Sequence, residues 1–111
     1  MRMWNVDPAV LCRKHLLGEH VELHMAVGSI KRGKNLGRFI SDGLIETGAI
    51  QARHQALAKE MVRRGYRHQS PLRYKDKLGL GRVDPSVSLA ELARRCPDCR
   101  ALLNSSMTNG Y

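Results

Sequence analysis

One uninterrupted run, from Asp7-Pro8 to Ile30, most narrows what this chain can become. Asp7 offers an N-cap and Pro8 a first helical residue whose missing N–H costs nothing, so the run predicts a helix from about Pro8 to Ile30. On a 3.6-residue wheel Val10, Leu17, Val21 and Met25 form one apolar stripe, and Leu16, Leu23 and Val27 form a second one displaced around the axis. Cys12, His15, Glu19, Glu22 and Ala26 lie between the stripes. Carboxylates are costly to bury unless paired or functional, so this strip is a candidate site.

The next segment, Lys31 to Arg38, is basic and glycine-interrupted and reads as a loop able to approach a phosphate chain. It is not a P-loop, because the terminal Gly-Lys-Ser/Thr is missing. A short helix or turn follows at Phe39 to Ile45, and a further helix from about Ala49 to Arg64 buries Ile50, Leu57 and Met61. Gly65 supplies its C′ position. Residues 69–86, with Pro71, Pro85 and several glycines, read as an extended loop. Ser88-Leu89-Ala90-Glu91 has the form of a capping box, which starts a last helix near Leu89 that runs toward Arg95. With 111 residues the expectation is one all-α domain, residues 1–111, built as a small bundle of three to four helices with long basic loops.

Nineteen Lys and Arg against ten Asp and Glu leave a charge of +9, which makes a polyanion the first partner to consider and nucleic acid the first polyanion. No stretch reaches the roughly 18 apolar residues of a spanning helix, and the start lacks the pattern of a signal peptide. A cytoplasmic protein without a membrane partner is the expectation. Three cysteines, an odd number, argue against a disulfide framework. Cys96-x-x-Cys99 is half of a tetrahedral zinc site, with Cys12 available as a third ligand and His15, one turn later, as a fourth. Such a zinc would be structural; free buried thiols are the other reading. His20 and His24, four residues apart, could share a metal, but no acidic third ligand sits at a recognised spacing, which favours ordinary surface or core histidines.

The run His15-Leu16-Leu17-Gly18-Glu19-His20-Val21-Glu22-Leu23 resembles the His-Leu-x-x-Glu-x-x-Glu-Leu signature of the pyrimidine-dimer DNA glycosylases, the phage endonuclease V family. Overlaid without gaps, that family's reactive terminal residue falls on Met1 and the basic residue after it on Arg2. The run from Arg53 to Tyr66, with its Arg-Gly-aromatic end, is similar to the family's later helix. The likeness spans about residues 1–68 and leaves 86–111 unmatched. In particular the family's aromatic-rich tail has no counterpart, since this chain ends with a single tyrosine, Tyr111.

The resemblance implies a DNA repair glycosylase with abasic-site lyase activity. The amine of Met1 would attack the sugar C1′, expel the base and hold the sugar as an imine primed for β-elimination. An α-amine suits this chemistry, because its reference pKa of about 7.7–8.0 leaves roughly a tenth neutral near pH 7, far more than a lysine offers. Arg2 should keep Met1 from being removed, because that processing favours a small second residue. Glu22 matches the catalytic carboxylate, which would stabilise charge on the sugar and assist proton transfer. DNA contacts are expected from Arg2, His15, Glu19, Lys31, Arg32, Lys34, Arg38, Arg53, Arg63 and Arg64. A zinc ligand role for His15 would conflict with its DNA contact. Where the family often carries arginines flanking the catalytic glutamate, this chain has Val21 and Met25.

No cofactor is needed for the chemistry. The expected partner is double-stranded DNA with damaged pyrimidines, met by a monomer in the cytoplasm of a bacterial or phage-infected cell, on nucleoid DNA. The competing readings are a non-catalytic zinc-stabilised DNA-binding module and a metal-dependent nuclease using His20, His24 and Glu22.

Overall fold

The structure, a computed structural model, describes residues 1–68 and 70–108. Gln69, at the head of the expected loop, and Tyr111 lie outside the described residues. The fold is all-α: helices α1 (Arg13–Lys31), α2 (Arg38–Ser41), α3 (Ile50–Arg63), α4 (Pro85–Arg95) and α5 (Pro97–Thr108), with 3-10 turns at Pro8–Val10 and Thr47–Ala49. Among the described residues there is no strand.

The first helix is shorter than the sequence pattern suggests. Asp7 does cap a helical start, accepting from the Ala9 N–H at 3.0 Å with Pro8 in the first position, but that start is the 3-10 turn. Leu11 and Cys12 then run extended, and α1 begins after Cys12. Both are buried, Leu11 completely, so the chain gives up two helical residues for a core anchor. Of the two apolar stripes on α1, one is core: Leu16, Leu23 and Val27 are buried, whereas Val21 and Met25 are more than half exposed. Glu19 and His20 complete the buried face, because each meets polar partners brought by later segments.

Helix α3 packs along α1. It ends as expected: Gly65 takes φ 82°, and the Tyr66 N–H returns to the Met61 carbonyl at 2.9 Å. The loop from 66 to 84 runs over the surface but is pinned. Leu72 and Val83 are buried, Thr47 Oγ1 donates to Asp76, and Tyr74 donates its hydroxyl to the same carboxylate at 2.6 Å. Gly81 closes that loop at φ 79°, where an added Cβ would stand 2.1 Å from the Ile45 carbonyl oxygen, so no other residue fits.

The last helices differ from expectation. Helix α4 starts three residues before Ser88, at Asp84-Pro85, with Asp84 accepting from the Ser86 N–H at 2.9 Å. Ser88 is a buried residue inside the helix and caps nothing. After Cys96 the chain enters α5 with Pro97 at its first position, a helix the sequence pattern does not announce, and α5 packs on α4 and on the first 3-10 turn.

Candidate functional site

Residues 1–6 position the site. Met3 and Trp4 are buried, and the Met3 N–H donates to the Leu44 carbonyl at 2.7 Å, so the chain start is threaded into the fold. One residue earlier, the Arg2 backbone N–H donates to Glu22 Oε2 at 2.9 Å. Met1 is partly buried against the core. The start of the chain and the Glu22 carboxylate, which sits twenty residues beyond Arg2, are therefore neighbours.

They border a cleft of about 220 Å³ lined by Arg2, Trp4, Lys14, His15, Glu22 and Arg95, with Gly18 and Glu19 in its floor. The guanidinium carbons of Arg2 and Arg95 lie over the Trp4 ring, 4.0 and 5.0 Å from its centroid. Partial burial, then the nearness of Arg95, lowers the pKa of Arg2. With Glu19 paired to Arg53, three cations face one carboxylate without an arginine partner, Glu22, which makes a cleft suited to an anion such as a phosphate. At Gly18 no outside protein atom stands within 4 Å of where a Cβ would be, so packing does not demand glycine and its absence of side chain leaves the cleft open.

Not every expected DNA contact faces outward. Glu19 and Arg53 bury each other in a two-bonded ion pair at 2.6 and 2.8 Å, and Arg53 also donates to the Val6 carbonyl. With Glu19 1 % and Arg53 7 % exposed, their charges hold α1, α3 and the N-terminal segment together, which corrects their assignment to a DNA-facing surface. Arg64 has a similar internal role: it pairs with Glu60 at 2.7 Å and donates to the Leu11 carbonyl at 2.7 Å, clamping the first 3-10 turn to α3. Arg63 shares Glu60 but stays largely exposed. Lys31, Arg32, Lys34 and Arg38 are all exposed.

Beside the cleft, Cys12, His15, Cys96 and Cys99 converge, with their ligand atoms all within 4.8 Å of one another. Cys12 Sγ is 3.2 Å from His15 Nδ1 and 3.9 Å from Cys96 Sγ, and Cys99 Sγ is 3.4 Å from His15 Nδ1. Around a tetrahedral metal bound by sulfur at about 2.3 Å and nitrogen at about 2.0–2.1 Å, neighbouring ligand atoms stand about 3.4–3.8 Å apart, so these four residues could hold one. The sulfurs are too far apart for a disulfide, and all three cysteines are free. Backbone N–H groups of Cys12 and Cys99 point at the sulfurs of Cys99 and Cys96, at 3.2 and 3.4 Å. Burial pushes the Cys99 thiol up to about 12; at Cys96 burial acts the same way but is outweighed by hydrogen bonds, including that from Cys99 N–H, and the thiol is lowered. Burial, aided by Arg95 and Lys14, lowers the pKa of His15 and favours its neutral, ligating form.

His15 thus turns Nδ1 to the thiols while its ring also lines the cleft, edge-on to Trp4 at 5.7 Å between centroids. An imidazole has two nitrogens, so a metal role and a cleft role do not compete for the same atom. Sequence reasoning missed Lys14 and Arg95 in this cleft. The signal for Arg95 was its bond to Cys96: whatever draws Cys96 to Cys12 delivers Arg95 to Trp4.

Residues 1–74 match the model of a family described as pyrimidine dimer DNA glycosylase. No curated protein and no solved structure matches the chain.

Proposed function

Since the chain belongs to the pyrimidine dimer DNA glycosylase family, we propose that it removes damaged pyrimidines through an imine on the Met1 α-amine and then cuts the strand as a lyase. The hydrogen bond between Arg2 N–H and Glu22 Oε2 carries this reading, because it keeps the chain start against the one cleft carboxylate that no arginine neutralises by a direct ion pair. The amine lone pair attacks C1′ as the glycosidic bond breaks, and the base departs with the bonding pair and takes up a proton. Loss of one amine proton, and breaking of the C1′–O4′ bond with a proton taken up by the ring oxygen, leave a protonated iminium at C1′. Its positive charge acidifies C2′–H; Glu22 accepts that proton, the C3′–O bond breaks, and the phosphate leaves. Water then releases the sugar and restores the amine.

Arg2, Lys14 and Arg95 would grip phosphates beside the displaced nucleotide, whose unstacking is cheaper when the base is damaged. The exposed Lys31, Arg32, Lys34 and Arg38 would follow the DNA backbone outside the cleft. The same reading has the protein act as a monomer on DNA in the cytoplasm. No described helix is long and apolar enough to cross a membrane.

Borohydride trapping on DNA carrying an abasic site or a pyrimidine dimer tests this. A covalent adduct should form, map to Met1 by peptide mass, and vanish when one residue is added ahead of it. An adduct on a lysine, or none on either substrate, would overturn the imine assignment.

A structural zinc held by Cys12, His15, Cys96 and Cys99 belongs to the same proposal. It would join the helix α4–α5 corner to the start of α1, supplementing the modest core of a small domain. The ligand spacing supports it, and the chemistry above needs no metal. Cys99→Ser should melt on the order of 10 °C lower than the parent protein, given the folding energy structural zinc supplies. Cobalt-loaded parent protein without a sulfur-to-metal charge-transfer band would overturn it.

A further inference from the structure

We propose that His20, His54 and His68 form a second metal site, at the α1–α3 interface, for a divalent transition cation of the zinc, cobalt and nickel type. It goes beyond the glycosylase reading and does not depend on it.

Four of the chain's five histidines meet here from three segments: His20 and His24 from successive turns of α1, His54 from α3, and His68 from the loop after α3. Their ring centroids stand 4.7 to 5.3 Å apart across five pairs. One ligand nitrogen from each of His20, His54 and His68 lies within 4.8 Å of the others, and the Nε2 atoms of His20 and His68 are 2.9 Å apart. Nitrogens bound at about 2.0–2.1 Å stand about 2.9 Å apart at a right angle and about 3.3–3.4 Å apart in a tetrahedron, so this pair, now at hydrogen-bond distance, is at octahedral spacing and opens by only a few tenths of an ångström for a tetrahedral cation.

The surroundings suit neutral imidazoles. His20 and His54 are buried, and burial together with the neighbouring rings lowers His20 to about 4; burial lowers His54 as well. Near neutral pH the His20 and His54 rings are therefore neutral, and each keeps one unshared pair, which is what a metal requires. Outer partners are also present. The Ser70 carbonyl accepts from His54 Nε2–H at 3.1 Å, which leaves His54 Nδ1, 3.2 Å from the Gln55 side chain, as the nitrogen free to ligate, and the same carbonyl is 3.1 Å from His24 Nε2. Ligating histidines usually hold the second nitrogen against such an oxygen, which fixes the ring and its tautomer. Three imidazoles without thiolate or carboxylate select borderline cations over calcium or magnesium, and leave a coordination position for water.

Cobalt titration of metal-stripped full-length protein separates this site from the cysteine site. The parent should take up two equivalents, one giving a sulfur-to-cobalt charge-transfer band and one giving only imidazole-type visible bands. His68→Ala, a half-exposed loop position, should take up one, with the sulfur band kept as evidence of folding. If the sulfur band is also lost in that variant, the shape-conserving His68→Gln decides by the same count. A parent that binds only the sulfur-marked equivalent or none, or a deciding His68 variant that still binds the imidazole equivalent, overturns the site. A parent with only imidazole bands supports it while removing the cysteine site instead.

Discussion

Glu22→Gln should lower single-turnover strand cleavage by about 10²–10⁴-fold, the usual worth of a group that moves protons in the transition state. That corresponds to roughly 2.7–5.5 kcal/mol of barrier. The substitution keeps shape and one carbonyl-type oxygen, so the Arg2 N–H retains an acceptor where it now meets Glu22 Oε2 at 2.9 Å, and the chain start should stay in place. The charge that balances a cationic sugar is what disappears. DNA binding, measured by fluorescence anisotropy, should hold within a few-fold, since the cations of the cleft and of the 31–38 loop are untouched. Parallel loss of cleavage and binding would assign Glu22 to folding instead.

Arg53→Ala should cost about 3–5 kcal/mol of stability, the penalty for stranding a buried charge by removing its partner. Glu19 would keep its carboxylate among apolar neighbours with both Arg53 hydrogen bonds gone, and the Val6 carbonyl would lose its donor as well. Urea unfolding reads the effect directly. The paired change Glu19→Leu with Arg53→Met should recover most of the loss, because desolvating two charges offsets much of what their attraction gains. A single-variant cost below about 1 kcal/mol would mean the pair is far better hydrated than its burial implies. The consequence reaches the cleft: this pair links α1 and α3 to the extended start that carries Met1.

Helix α3 was legible because its apolar spacing and the Gly65 that ends it agree. The strip of Cys12, His15, Glu19 and Glu22 stood out in the sequence as a candidate site, since a carboxylate between apolar stripes is conspicuous. A helical wheel, however, offers two stripes with equal weight and cannot say which one meets the core. Here the decision came from distant residues: Arg53 satisfied Glu19, and His54 and His68 gathered around His20, so their side of α1 turned inward and Val21 and Met25 were left in solvent. Polar burial of this kind has no local pattern. At the other end the missed signals were local. Asp84-Pro85 repeats the Asp7-Pro8 start, and Pro97 opens α5, so three of the four prolines mark helix beginnings. The Ser88–Glu91 spacing imitates a cap inside an established helix, where Ser88 has no orphan N–H to receive it.

Trp4 carries one guanidinium from the second residue of the chain and another from the end of α4. The family-matched stretch therefore holds Met1 and Glu22, the groups proposed to react, without finishing the cleft around them. Arg95 and the two thiols next to it come from the tail, on sequence that carries no glycosylase signature. Grafting the first 74 residues onto another scaffold would carry over Met1 and Glu22 and leave the Arg95 wall of the cleft behind. Any tail put in its place closes the same cleft only if it returns a cation to that indole.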